Sequence, residues 1–168
     1  MEQLTHYNST FESKKFPITL VCDGVYFQEN IGSIFRICDA MGVSKIIFSG
    51  SNFIFSERKI NKTSRSTHRT VPFEIIKEQN SLINYLNTTF STRIALEITQ
   101  SSIPLNEIKI NLDQPITLII GNEIHGISAK ILEVSSIHTH IPMFGHNSSM
   151  NVVQALSIAL YELIQRLA

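Results

Sequence analysis

The sequence predicts an α/β fold: a mostly parallel sheet with helices on both of its faces. Three observations carry the prediction. Short runs nearly continuous in Ile, Val and Leu recur along the chain, as strands buried on both sides require. Helix-length stretches separate these runs, and such alternation winds helices onto both faces of a parallel sheet. A hydrophobic share of 43% against a charged share of 17% supplies enough apolar side chain for a real core.

Taken in order, the first strand is ITLVC at 18–22. A helix follows from Asn30, a residue type that caps, to Gly42, which suits the C′ position. Ile34, Ile37, Cys38 and Met41 give that helix a core stripe at i, i+3, i+4 and i+7, with Arg36 on the other side. KIIFS at 45–49 is the second strand. RKINKTSRSTHR at 58–69 gathers Arg58, Lys59, Lys62, Arg65 and Arg69 in a Ser/Thr-rich stretch that on charge alone reads as a solvated loop. The remaining strands are TVPFEI (70–75), RIALEI (93–98), ITLII (116–120) and IHTHIP (137–142), with helices over 79–87, 128–134 and 149–167. The last helix is apolar nearly all round: Val152, Val153, Leu156, Ile158, Ala159, Leu160, Leu163 and Ile164 circle it. A surface helix needs only one apolar stripe, so its far side is expected to meet a second subunit.

Bulk properties narrow the class. With 168 residues, one domain over 1–168 is expected, residues 1–16 forming a short N-terminal segment. No apolar run reaches the roughly 20 residues of a membrane span, and the first residues lack a signal peptide's basic and apolar regions. A cytoplasmic protein without membrane contact is expected. Cys22 and Cys38 fit neither a disulfide framework nor a metal spacing and read as small buried hydrophobes. The formal net charge of zero argues mildly against a nucleic-acid partner, and the basic stretch at 58–69 softens that argument.

Three segments carry chemistry. LIIGNEIHGIS (118–128) leaves a buried strand and enters a helix, where Gly121 and Gly126 let backbone approach a ligand beyond the strand's carboxyl end. It matches neither a dinucleotide fingerprint nor a P-loop. IPMFGHNSSMNV (141–152) joins a strand to the last helix; Ser148, Ser149 or Asn151 can cap that helix, and capping needs only one of its many polar residues. The excess suggests a pocket rim. NIGSIFR (30–36), read alone, is a capped amphipathic helix with a solvated arginine.

In this order and at these separations, the segments closely resemble the three motifs of the SpoU-type, TrmH-like branch of the SPOUT RNA 2′-O-ribose methyltransferases. The first motif is matched by Asn30, Gly32 and Arg36. Gly121, Asn122, Glu123 and Gly126 match the second. Ile141, Pro142, Met143, Gly145, Ser149, Met150, Asn151 and Val152 match the third. The resemblance runs from about Ile18 to the C-terminus. It implies a deep C-terminal trefoil knot, a homodimer paired through the last helix, and a bent S-adenosylmethionine that leaves as S-adenosylhomocysteine. Leu96, Gly121, Asn122, Ile141, Met143, Ser149 and Met150 would hold that cofactor. Asn30, Arg36, Glu123, Ser149 and Asn151 would form the catalytic group.

The resemblance also turns the basic segment into a substrate loop, with Arg58, Lys59, Lys62, Thr63, Ser64 and Arg65 as RNA contacts. Arg65-Ser66 stands where many relatives carry Gly-Ala. A chain without a separate RNA-binding domain and with a KTS-bearing loop points to tRNA, at a guanosine, ahead of rRNA. A catalytically silent RNA-binding dimer is the alternative from another class. No metal is expected, because no cysteine joins His138, His140 and His146. Ser149 as a hydrolase nucleophile lacks the G-x-S-x-G elbow.

Overall fold

Among the described residues seven strands line up in one sheet, and every pairing between them is parallel. They are β1 (Phe16–Asp23), β2 (Val43–Ser49), β3 (Phe73–Ile76), β4 (Thr92–Leu96), β5 (Ile103–Pro104), β6 (Ile116–Gly121) and β7 (Ile137–His140), in the order β3-β2-β1-β6-β4-β7-β5. This computed structural model describes residues 11–147 and 149–168. Most of the 1–16 segment and the candidate cap Ser148 lie outside the described residues. The α-helices of the described residues are α1 (Gln28–Ala40), α2 (Glu57–Ser64), α3 (Gln79–Thr88), α4 (Ala129–Glu133) and α5 (Val152–Leu167). No described helix is long and apolar enough to cross a membrane.

The strands alternate their side chains between two cores, as a period of two demands. Leu20 and Cys22 of β1 enter a core shared with Ile34 and Phe35 of α1 and Leu156 and Leu160 of α5. Val21, between them, enters the opposite core with Leu82 of α3 and Ile131 of α4. Helices therefore cover both faces, as the sequence predicts. β6 lies between β1 and β4, with Gly121 level with Asp23. That insertion brings the carboxyl ends of β1, β6, β4 and β7 side by side.

Several boundaries differ from expectation, each for a physical reason. α1 begins at Gln28 with Phe27 at its cap position and no capping side chain. Asn30 is thus the third residue of the helix instead of its cap, and its side-chain amide is free for other partners. Ile31, Ile34, Phe35 and Cys38 form the buried stripe of α1, with Ile37 and Met41 half-buried at its margin. Gly42 does take the left-handed conformation after the helix, at φ +64°.

The stretch 58–69 is not a loop. It forms α2 and a 3₁₀ turn at Thr67–Arg69, because tertiary packing overrides a polar composition. α2 lies along α1 so closely that a Cβ on Gly32 would sit 1.9 Å from Thr63 Oγ1 and 2.5 Å from the Ile60 carbonyl oxygen. β3 begins only at Phe73, since Thr70 closes the preceding 3₁₀ turn. β4 and β7 stop at Leu96 and His140, and the residues beyond turn into the site. The two-residue β5 carried no apolar run by which to find it. α5 starts at Val152, capped by the Asn151 side chain, which accepts from the Val153 amide at 2.8 Å. Leu156, Ala159, Leu160, Leu163 and Ile164 are buried within the chain, so the free apolar face of α5 is narrower than expected and centres on Ile158 and Tyr161.

Candidate active site

The loops after β4, β6 and β7 close on a cavity of about 310 Å³. Leu96, Gly121, Asn122, Ile141, Met143, Ser149 and Met150, the cofactor residues expected from the sequence, all line it. A cavity of that size with leucine, isoleucine and methionine walls suits a flat ring with a polar tail.

The loop 121–127 owes its shape to its glycines. Asn122 and Gly126 exchange backbone hydrogen bonds at 3.1 and 2.9 Å, folding N-E-x-x-G into a tight hairpin. A Cβ on Gly121 would lie 2.2 Å from the Gly126 carbonyl carbon, so no side chain fits there. Gly126 sits at φ +66°, a conformation that favours glycine. The Asn122 side chain is a strut. Its Oδ1 accepts from the Ile124 and His125 amides at 2.9 and 3.0 Å, and its Nδ2 donates to the Gly24 carbonyl at 2.7 Å. What Asn122 offers the cavity is therefore its position in the wall.

Glu97 was missed by sequence reasoning. Its Oε2 accepts from the Ile127 amide at 2.9 Å and its Oε1 from the Ile98 amide at 3.1 Å, tying the β4 turn to the β6 hairpin. It is the one acid of the run RIALEI. Its only sequence signal was a charge at the carboxyl end of a buried strand.

At one end of the cavity a polar group is already assembled. Asn30 Nδ2 donates to Glu123 Oε1, and Asn151 Nδ2 donates to Asn30 Oδ1 at 3.3 Å. Since Asn151 Oδ1 is held by the Val153 amide, the orientation of all three side chains follows from the α5 cap. Residues 93 and 121 positions apart in sequence thus meet, and Ser149 lines the adjoining wall.

Arg36 is not among the cavity's lining residues and makes no hydrogen bond or ion pair among the described residues. It stands four residues after Gly32, hence on the helix face that meets α2. Gly32 abuts Thr63 and Ser64, and Asp39 at the far end of α1 accepts from Thr70 Oγ1 at 2.9 Å. Arg36, between them, faces the segment following α2. It therefore belongs to the edge of the basic surface.

On that surface Arg58, Lys59, Lys62 and Arg65 are exposed. Thr63 is half-buried and Ser64 is buried, its Oγ 2.8 Å from His68 Nδ1, so Ser64 is a packing residue where an RNA contact was expected. His68 Nε2 lies 3.5 Å from Glu57 Oε1. Hydrogen bonding from Arg69 and then His68 holds the exposed Glu57 carboxyl below its usual range. Arg65 and Ser66 are both left-handed, at φ +49° and +70°, and Asn61 Oδ1 steadies the turn by accepting from Ser66 N and Oγ at 3.1 and 3.2 Å. Burial raises the Cys22 and Cys38 thiols well above their usual value, as inert core residues require. Among the described residues no three His, Cys, Asp or Glu side chains gather as metal ligands.

Loops at the carboxyl ends of parallel strands, an apolar-walled cavity and a preassembled carboxamide–carboxylate group define a cofactor-binding enzyme of the parallel α/β class. The sequence model of the SpoU rRNA methylase family matches residues 17–161. This chain belongs to that family.

A tRNA (guanosine(18)-2′-O)-methyltransferase of Aquifex aeolicus is 28% identical over 163 residues, covering 96% of this chain and 75% of the relative. The crystal structure of an A. aeolicus TrmH/SpoU tRNA modifying enzyme superposes with a TM-score of 0.76 at 28% identity, over 93% of this chain and 77% of that one. An AdoMet-bound rRNA methyltransferase from Sinorhizobium meliloti shares the fold, with a TM-score of 0.84 at 22% identity. That superposition covers 94% of this chain and 59% of the Sinorhizobium chain.

Proposed function

We propose that this chain transfers a methyl group from S-adenosylmethionine to a ribose 2′-hydroxyl of RNA, with a tRNA guanosine as the first substrate to test. The observation that carries this reading is the Asn30–Glu123–Asn151 group, closed by hydrogen bonds at one end of a cofactor-sized cavity. The Aquifex relative, by its name, acts on guanosine 18 of tRNA, and this favours tRNA over rRNA. A silent RNA-binding dimer has no use for a catalytic group kept intact on three separate elements.

The cavity suits the cofactor. Leu96, Ile141 and Met143 would cover the purine, and Gly121, with the hairpin packed where its side chain would be, contributes main chain to the wall. When bound, S-adenosylmethionine would supply an activated methyl group for O2′, with S-adenosylhomocysteine as the leaving group and the hydroxyl proton released to solvent. A ribose hydroxyl is a weak nucleophile, so this chain's work is alignment and stabilisation of the developing oxyanion. Exposed Arg36, on the α1 face that meets α2, would clamp the phosphate next to the target ribose. A free guanidinium is a poor base, which also favours clamping over proton abstraction.

In the same reading the chain is a cytoplasmic homodimer with a knotted C-terminal half. An apolar groove lined by Met41, Ile141, Pro142, Ile158 and Tyr161 supports pairing through α5.

Calorimetry with S-adenosylmethionine, then transfer of its labelled methyl to bulk tRNA and to rRNA, tests the proposal. Transfer to tRNA is expected; transfer to rRNA alone would move the substrate, and cofactor binding without any transfer would overturn the enzymatic reading. Arg36→Ala should abolish transfer with cofactor affinity unchanged. An Arg36→Lys variant with near-full turnover would sink the bidentate clamp.

A further inference from the structure

β7 ends in two histidines that the reaction above does not use. His138 and His140 share one face of the strand, while Thr139 between them is buried on the other and donates from Oγ1 to the Ile103 carbonyl at 2.9 Å. Both rings grip the turn that follows β4. His138 Nε2 lies 3.0 Å from the Leu132 carbonyl, which can only accept, so Nε2 carries the proton and Nδ1 accepts from Ser101 Oγ at 3.2 Å. His138 is therefore filled on both sides.

His140 is not. Its Nδ1 lies 2.9 Å from Ser102 Oγ. That oxygen also lies 2.9 Å from the Thr99 carbonyl and accepts from the Thr99 amide at 3.0 Å. Ser102 has one proton. Were it given to His140, two oxygens would face each other at 2.9 Å with no hydrogen between them. The arrangement that makes every contact a hydrogen bond sends the proton to Thr99 and has His140 Nδ1–H donate to Ser102. The neutral ring's Nε2 is then a bare acceptor, and it has no partner among the described residues. His140 lines the cavity with Leu96, Ile98 and Ile141, at the ends of the β4 and β7 strands. The Asn30–Glu123–Asn151 group marks the reacting end. A donor whose methyl must reach that group places its purine against the apolar walls beside His140.

We propose that His140 reads the cofactor's purine: its Nε2 accepts a hydrogen bond from the exocyclic amino group of adenine. The inference rests on the cavity being the S-adenosylmethionine site. A base with a carbonyl oxygen at that ring position sets acceptor against acceptor and is rejected, because a buried polar group left unpaired is costly.

The test is calorimetric binding of S-adenosylhomocysteine and of its hypoxanthine analogue, S-inosylhomocysteine, to the full chain and two variants. His140→Asn keeps a polar group near Nδ1, within reach of Ser102, and removes the cavity acceptor. His140→Gln carries an amide to the Nε2 position and gives up the turn bond. The parent should prefer the adenine compound by about tenfold. His140→Asn should bring that preference close to unity, mainly by weakening the adenine compound, whereas His140→Gln should keep most of it. A residue that only holds the turn would give the reverse order. An unchanged preference in a His140→Asn protein with parental thermal stability would overturn the inference and leave the cofactor site standing. Failure of the parent to bind S-adenosylhomocysteine would overturn the cofactor reading and this one with it.

Discussion

Glu123 shows how one side chain joins structure to chemistry. It sits in the hairpin that Gly121 and Gly126 make possible, lines the cavity, and accepts from the Asn30 amide. Asn30 cannot rotate its amide to suit another neighbour, because its Oδ1 is taken by Asn151 Nδ2 at 3.3 Å. Glu123→Gln would keep the volume and an oxygen that can still accept from Asn30, while removing the negative charge and the second acceptor oxygen. Turnover should fall about a hundredfold, the scale for losing one preorganised polar group at a reacting centre. Affinity for S-adenosylmethionine should stay within about twofold, since the apolar walls and glycine backbone are untouched. Single-turnover methyl transfer and calorimetry on the same preparation check both halves. Loss of affinity in parallel with rate would make Glu123 a binding residue instead.

Between elements, the first motif's glycine is explained by the helix that sequence reasoning missed. Gly32 is where α2 rests on α1, with the Ile60 carbonyl too close for any Cβ. Gly32→Ala must push α2 outward by backbone movement. Overpacking of this kind costs about 1–3 kcal/mol, visible in a urea midpoint. It should also weaken RNA binding without affecting the cofactor, because Lys62 and Arg65 move with α2. The turn after α2 predicts the opposite sign. Ser66→Gly removes a non-glycine residue from φ +70° and should stabilise the chain by up to about 1 kcal/mol, less the Oγ bond to Asn61. These cases also show which features were legible. Strands such as 116–120 could be read because burial on both faces demands an unbroken apolar run. The cavity wall could be read because the motif resemblance carries Ile141 and Met143 over as cofactor residues. α2 could not, because its one buried apolar residue, Ile60, gives no periodicity, and the space that holds it is a missing Cβ on another helix. Glu97 could not, because what gives it a role is the Ile127 amide, 30 residues away.

At the scale of the molecule the open question is what covers the outer face of α5. The sequence alone suggested a helix apolar all round, yet most of those residues are consumed by the chain's own core. What remains is compact: Ile158 is 44% and Tyr161 58% exposed, beside a groove that also includes Met41 of the α1 C-cap and Ile141 and Pro142 from the loop entering the cavity. A stable homodimer buries about 800 Å² on each partner, so this patch would be its centre, with polar residues such as Asn106 and Glu162 at its margin. Ile141 borders the groove and the cofactor cavity alike, so covering one face would steady a wall of the other. Ile158→Asp places a charge in the patch without touching the monomer core. On the proposed pairing through α5, light scattering should report a dimer for the parent and a monomer for this variant, with helical circular dichroism unchanged. S-adenosylmethionine affinity should fall severalfold in the same variant, through the loosened Ile141 wall. A variant that stays dimeric would move the interface off α5, and a monomer with undiminished affinity would uncouple the groove from the site.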